Sequence, residues 1–182
     1  NYVKSYEKEG VKIDRICIQN ENDANTKYPS CIFPAKDMVK FANKYMIPAF
    51  EKNNIKAGVY AGTMRTAEKM DIMDFMMAEG NNKLAGIGIQ YTDTRFLGDA
   101  RAMMPGLKFF HTEGHCYNGA NSTKEASHRL EEVAGYINAG STTFTYWNMI
   151  LNESTKSGWD WPQNSLVNID LKTGEIVYNP DY

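Results

Sequence analysis

A chain of 182 residues, 42% hydrophobic and 23% charged, has the composition of a folded globular protein with room for one core and a small appendage, which excludes a disordered tail. Its net charge of −2, with no sustained basic stripe, excludes binding to a phosphate backbone, so no nucleic-acid partner is expected. No run reaches the ~20 consecutive apolar residues of a transmembrane segment, and the first residues lack the charged, apolar and small-residue succession of a signal peptide.

The chain opens at Asn1 on a helix already under way, Tyr2 to Lys8, which Gly10 stops. It reads as a piece of something longer. IDRICIQ is a β-branched strand, and the loop NENDANTKYPSCIFP leads to a helix from Ala35 to about Asn53. Met38, Val39, Phe41, Ala42, Tyr45, Met46, Ala49 and Phe50 recur there at helical spacing, and Pro48 is expected to break or kink the last turns. KAGVYAG is a strand ended by Gly62. Arg65 to Ala78 is a Met-rich helix whose methionines read as core packing. LAGIGIQY is a strand, Phe96 to Met103 a short helix, LKFFHTE a strand, Lys124 to Ala139 a helix stopped at Gly140, and STTFTYWN the last strand of the series.

Strands alternating with helices imply a parallel sheet, because parallel neighbours need crossovers. No GxGxxG turn follows the first strand, which disfavours an open nucleotide-binding sheet. Carboxylates, Asn, His and Trp fall instead at the strands' C-terminal ends, where a β/α barrel carries its chemistry. The expected fold is therefore α/β: a partial (β/α)8 TIM barrel over residues 1–152. Residues 153–182 are expected to form a post-barrel loop and the β-hairpin around Lys172-Thr173-Gly174 that begins a β-rich side domain. Five strands cannot close such a barrel, so either an N-terminal barrel half is missing or self-association covers the open faces, and the 182 residues alone are expected to be inactive.

Two strand ends each deliver a glutamate, Glu21 after the first and Glu113 after the fourth. Cleaving a glycosidic bond requires one carboxylic acid to protonate the leaving oxygen and one carboxylate to attack or to activate water. Asn20 offers an amide for a sugar hydroxyl beside the reacting carbon. His111 alternates with Phe109 and Glu113 and should share their face, while Trp147 offers a platform for a pyranose ring. Aromatic residues make up 12% of the chain; most belong in the core, and those at strand ends suit a sugar cleft.

The runs FFHTEGHC, TYWNMILNE, GWDWPQNSL and LKTGEIVYNPDY, together with Asn20-Glu21, resemble glycoside hydrolase family 30. This is the glucosylceramidase-like family within the clan of barrel-type retaining β-glycosidases, and the resemblance covers nearly the whole chain. It implies barrel strands four to eight, with Glu21 as general acid/base, Glu113 as nucleophile, Asn20 on the 2-hydroxyl, and Trp147 with Asn148 in the glycone pocket. It further implies a carbohydrate or glycolipid substrate, no cofactor, no metal, and a secreted or lysosome-like location. An exo-acting β-glucosidase or glucosylceramidase is the reading it favours; an endo-β-1,6-glucanase and a β-xylosidase are the alternatives. Two departures stand out: Asn22 replaces the usual proline after Glu21, and the third strand here ends Gln90-Tyr91-Thr92 where the family has His-x-Tyr. Either Tyr91 takes over the contact with the nucleophile or that contact is lost.

Other chemistries are weaker. His111, Glu113 and His115 alternate as H-x-E-x-H but lack a fourth metal ligand. Cys17, Cys31 and Cys116 have neither paired spacing nor an even count, so they read as buried or free thiols. A carbohydrate-binding protein without turnover is the non-enzyme alternative.

Overall fold

Four of the expected strands lie side by side, parallel and in sequence order: β1 Arg15–Cys17, β2 Gly58–Met64, β3 Gly86–Ile89 and β4 Lys108–His111. The computed structural model describes residues 1–65, 69–106, 108–158 and 160–180. Residues 66–68, which open the helix expected after Arg65, lie outside the described residues, as do Leu107 of the LKFFHTE strand, Trp159 of the GWDWPQNSL run, and Asp181 and Tyr182.

Helix α1, Tyr2–Lys8, ends where expected: Gly10 adopts φ +81°, and the Val11 amide turns back to the Tyr6 carbonyl. The crossover from β1 to β2 is helical through α2, Ala35–Phe41, and α3, Ile47–Lys52. Between them Ala42–Met46 form a wider π-helical turn in which the Ile47 amide bonds the carbonyl five residues back. A proline ring clashes with the carbonyl four residues before it. The wider turn relieves that clash, so the helix runs past Pro48 instead of breaking. Helix α4, Lys69–Met77, crosses from β2 to β3; α5, Thr94–Met103, from β3 to β4; and α6, Thr123–Asn138, follows β4.

The strands' alternation sorts their side chains. Val59, Ala61, Ile87, Ile89 and Phe109 form one core with Met38, Val39, Ile72, Phe75 and Leu97 from the helices. On the opposite face Tyr60 meets Phe110 edge-on at 4.7 Å. A Cβ on Gly86 would come within 2.3 Å of the Tyr60 ring, so the bare glycine makes room for that aromatic. The Met-rich helix packs through Ile72 and Phe75, whereas Met77 is exposed.

The fifth expected strand, STTFTYWN, is not regular. Residues 141–148 run beside β4, with Thr142 N donating to Phe109 O at 2.9 Å and Gly114 N to Thr145 O at 2.8 Å. Two amides of the ladder are drawn off by side chains: His111 N also donates to Ser141 Oγ, and Thr145 N donates to His111 Nδ1. Such local bonds compete with a regular ladder.

A second sheet follows. β5, Ile150–Asn152, pairs in parallel with β6, Val167–Ile169, which pairs antiparallel with β7, Ile176–Tyr178. Gly174, at φ +74°, closes the turn between β6 and β7. The small sheet thus takes its first strand from residues before position 153, within the segment that the sequence assigns to the barrel. Among the described residues no helix is long and apolar enough to cross a membrane.

One irregularity in β2 bears directly on the site. The β2–β3 register slips between Ala61 and Met64, an extra residue being taken up where Gly62 adopts φ +87°. A Cβ there would meet the Gly88 carbonyl oxygen at 2.5 Å. Gly62→Ala is expected to destabilise the protein by on the order of 2 kcal/mol, read as a lowered urea midpoint with unchanged slope.

Candidate active site

The C-terminal ends of β1 to β4 surround a cleft of about 1380 Å³, above the common range for small-ligand sites. Both strand-end glutamates line it, with Asn20, Tyr91 and Trp147. Glu21 follows β1 in a positive-φ conformation (+46°) and is 7% exposed. One carboxylate oxygen accepts the Tyr28 hydroxyl at 3.0 Å, and the other lies 3.8 Å from Arg65 Nε. The Arg65 backbone amide donates to the Asp23 carboxylate at 2.8 Å, which ties the end of β2 to the loop carrying Glu21.

Glu113 has a different environment. Its Oε1 accepts the Tyr91 hydroxyl at 2.7 Å and its Oε2 receives the Gln90 side-chain amide at 3.5 Å. Burial pushes the Glu113 carboxyl above the ordinary carboxylate range; the Tyr91 hydrogen bond and Arg65 pull against this, and the charge of Glu21 adds to it. Burial and the bond to Glu113 together push the Tyr91 phenol far up, so it stays a donor. Tyr91 thus makes the contact with Glu113 that the departure from His-x-Tyr left open. Thr92 is buried away from the cleft, and its carbonyl accepts the Tyr136 hydroxyl of α6 at 2.9 Å.

Gln90 is fully buried and does not line the cleft. Its amide bridges Asn20 Oδ1 at 2.9 Å and Thr63 Oγ1 at 3.2 Å, and Thr63 also donates to Asn20 at 3.2 Å. The bulge at Gly62 brings Thr63 into this network.

His111 is placed differently from the expectation. β4 ends at His111, so the alternation does not carry through to Glu113: His111 turns with Phe109 to the helix side, while Glu113 lines the cleft. Its ring is fully buried, stacked on Phe144 at 4.0 Å, and burial pushes its pKa down to about 4, which leaves it neutral near pH 7. His111 therefore does not line the cleft as Glu113 and His115 do, and among the described residues no three His, Cys, Asp or Glu side chains converge as metal ligands. Asn148 is also set back, its amide donating to Gln163 behind Trp147. Cys116 lines the cleft, but burial pushes its thiol up, away from nucleophilic use at neutral pH.

The structure adds Tyr28, Arg65, His115, Tyr117 and Trp161 to the wall. Trp161 lies in a run already carrying the family resemblance. Tyr28 and Arg65 sit in loops, and no periodicity marks them.

The fold is that of the glycoside hydrolase family 30 barrels, of which this chain covers part. It aligns with SrfJ from Salmonella typhimurium at a TM-score of 0.84 and 19% identity, over 98% of this chain and 42% of that one. With the endo-β1,6-glucanase BT3312 the TM-score is 0.83 at 18% identity, over 97% and 43% of the two chains. With Xyn30A, a glycoside hydrolase family 30 subfamily 8 xylanase from Clostridium acetobutylicum, it is 0.67 at 18% identity, over 96% and 41%. The chain therefore spans less than half the length of each of these structures. The sequence matches no protein-family model and no curated protein.

Because Glu113 holds its proton more tightly in the fold than in the unfolded chain, its ionisation costs stability as pH rises from the unfolded to the folded pKa, and the loss then persists. Glu113→Gln should accordingly raise the melting temperature at pH 7 relative to the parent, with the difference shrinking as pH falls from the raised folded pKa to the ordinary carboxylate value and vanishing below it.

Proposed function

We propose that this chain carries the catalytic centre of a retaining β-glycoside hydrolase. The observation that carries the reading is the pairing, in one cleft, of two glutamates in unlike surroundings: Glu113, half-buried and held by Tyr91 and Gln90, and Glu21, buried and held by Tyr28 beside Arg65. Three parallel-strand spacings of ~4.8 Å separate β1 from β4 along the sheet, a gap that two inward-reaching glutamates and one sugar ring can fill. Glu113 attacks the anomeric carbon. Glu21 protonates the departing oxygen and then removes a proton from the water that releases the sugar. Asn20, steadied by Thr63 and Gln90, binds the hydroxyl next to the reacting carbon, and Trp147 provides an apolar face for the ring.

The substrate we favour is a β-glucoside, as the resemblance to the glucosylceramidase-like family implies. An endo-acting β-1,6-glucanase is the second reading, supported by the TM-score of 0.83 to a protein of that name. Either reading puts the protein's work outside the cytoplasm, where polymeric sugars and glycolipids are met.

Assays on aryl β-glycosides, with the product of the complete gene, test the proposal. Glu113→Gln should lower kcat/KM by more than about a thousandfold; a loss of less than tenfold would remove Glu113 from the nucleophile role. Glu21→Ala should lose activity towards poor leaving groups and recover turnover with azide, giving a glycosyl azide of retained β configuration.

A further inference from the structure

Behind Tyr91 lies a charged cluster that the proposed chemistry does not use. Helix α6 turns Arg129, Glu132 and Tyr136 inward at i, i+3 and i+7, while Leu130, the residue after Arg129, is 71% exposed. The side chains of Arg129 and Glu132 are 9% and 11% exposed and pair at 2.7 Å. Sequestering such charges costs desolvation that the pair's attraction at best offsets, so stability alone gives no reason for them.

Their contacts lead towards the cleft. Glu132 Oε1 lies 2.6 Å from His115 Nδ1, and Arg129 Nη2 donates to the His115 carbonyl, so α6 grips both ring and backbone of that residue. The His115 ring packs against the Tyr91 ring at 4.4 Å between centroids. Tyr91 in turn donates to Glu113 at 2.7 Å. The same helix holds the backbone around Tyr91, because the Tyr136 hydroxyl reaches the carbonyls of Gln90 and Thr92 at 2.5 and 2.9 Å.

We propose that His115 and Glu132 are positioning residues for Glu113: Glu132 locks the imidazole of His115, and that ring braces the Tyr91 phenol so that its hydroxyl stays on the attacking carboxylate. The proposal takes Glu113 as the nucleophile, as the hydrolase reading has it. Without a packing partner an aromatic side chain can swing about χ1 and χ2; the His115 ring against Tyr91 limits that swing and keeps the hydroxyl on Glu113. Glu132 can serve as a fixed acceptor because it stays ionised. Burial pushes its carboxyl up, but the His115 hydrogen bond and the charges of His115 and Arg129 hold it below the ordinary range. Other ionisable groups near this chain of contacts include Glu21 and Arg65 across the cleft from Glu113, Cys116 beside it, Tyr117 against His115, Asp93 and Glu131 lining the hollow behind Tyr91, and His111 against Tyr136.

The test is the titration of the Glu113 carboxyl, followed by NMR with 13C-labelled glutamate in the product of the complete gene. Parent, Y91F, H115A, E132L, E132Q and Y91F/H115A are compared. Removing the Tyr91 donor takes away a contact that favours the carboxylate, so Y91F should titrate Glu113 at higher pH. H115A and E132L should shift it the same way and by no more than Y91F. E132Q, which keeps an acceptor for Nδ1–H, should stay with the parent, and the double variant should match Y91F alone. If H115A does not fold, the contrast between E132L and E132Q decides. The proposal is overturned if E132L and H115A leave Glu113 where the parent has it, if Y91F does so, or if the double variant adds a full His115 effect to that of Y91F. Turnover is read separately. A parent inactive on every β-glycoside sinks the hydrolase reading while the NMR couplings stand or fall alone, and in an active parent H115A should lower kcat roughly tenfold with KM little changed.

Discussion

A single side-chain amide, that of Gln90, spans the space between the two halves of the site. It sits fully buried at the end of β3 and reaches Asn20 and Thr63 on one side and Glu113 on the other. Of the two glutamates, Glu113 meets that buried donor directly, and Glu21 follows Asn20, which the donor holds. A buried polar group is costly unless its bonds are made, and when they are made they specify one arrangement. The strand ends converge, and Gln90 determines how their side chains are disposed within that convergence.

The two carboxyl groups then differ because their neighbours differ. Glu113 is burdened by burial, which favours its neutral form, and is supported by a phenol that favours its charged form. A carboxylate held this way is less solvated than one in water, and the Tyr91 hydroxyl donates to one of its oxygens. Glu21 is the less exposed of the two, with a phenol and a half-exposed guanidinium at its oxygens.

Much of this was legible in the residues. The helix stops at Gly10 and Gly140, the parallel strand order, and the delivery of Glu21 and Glu113 to one cleft follow from apolar periodicity and from chemistry concentrated at strand ends. The failures have definite causes. Alternation was carried one step too far at His111, because the strand stops there and the next two residues turn. STTFTYWN has strand composition, yet Ser141 and His111 side chains take bonds that a regular ladder would use. Pro48 is expected to break or kink its helix, and the structure shows an interruption without a break: a π turn at Ala42–Met46, after which the helix continues. On α6 the structure buries Arg129 and exposes Leu130, an arrangement that tertiary contacts explain. Tyr28 and Arg65 enter the cleft from irregular loops, where spacing carries no information.

The run Pro162-Gln163-Asn164-Ser165 extends these relations beyond the barrel. Gln163, Asn164 and Ser165 are fully buried: Gln163 receives the Asn148 amide, Asn164 N bonds the Cys116 carbonyl at 2.7 Å, and Ser165 N bonds Asn121 at 2.9 Å. These bonds fasten the segments on either side of Trp147 and Trp161 to residues leading directly into β6. The little sheet is therefore less an attached module than a buttress. Trimming the protein ahead of it would leave two tryptophans of the cleft wall without their anchorage, even though no residue of β6 or β7 lines the cleft.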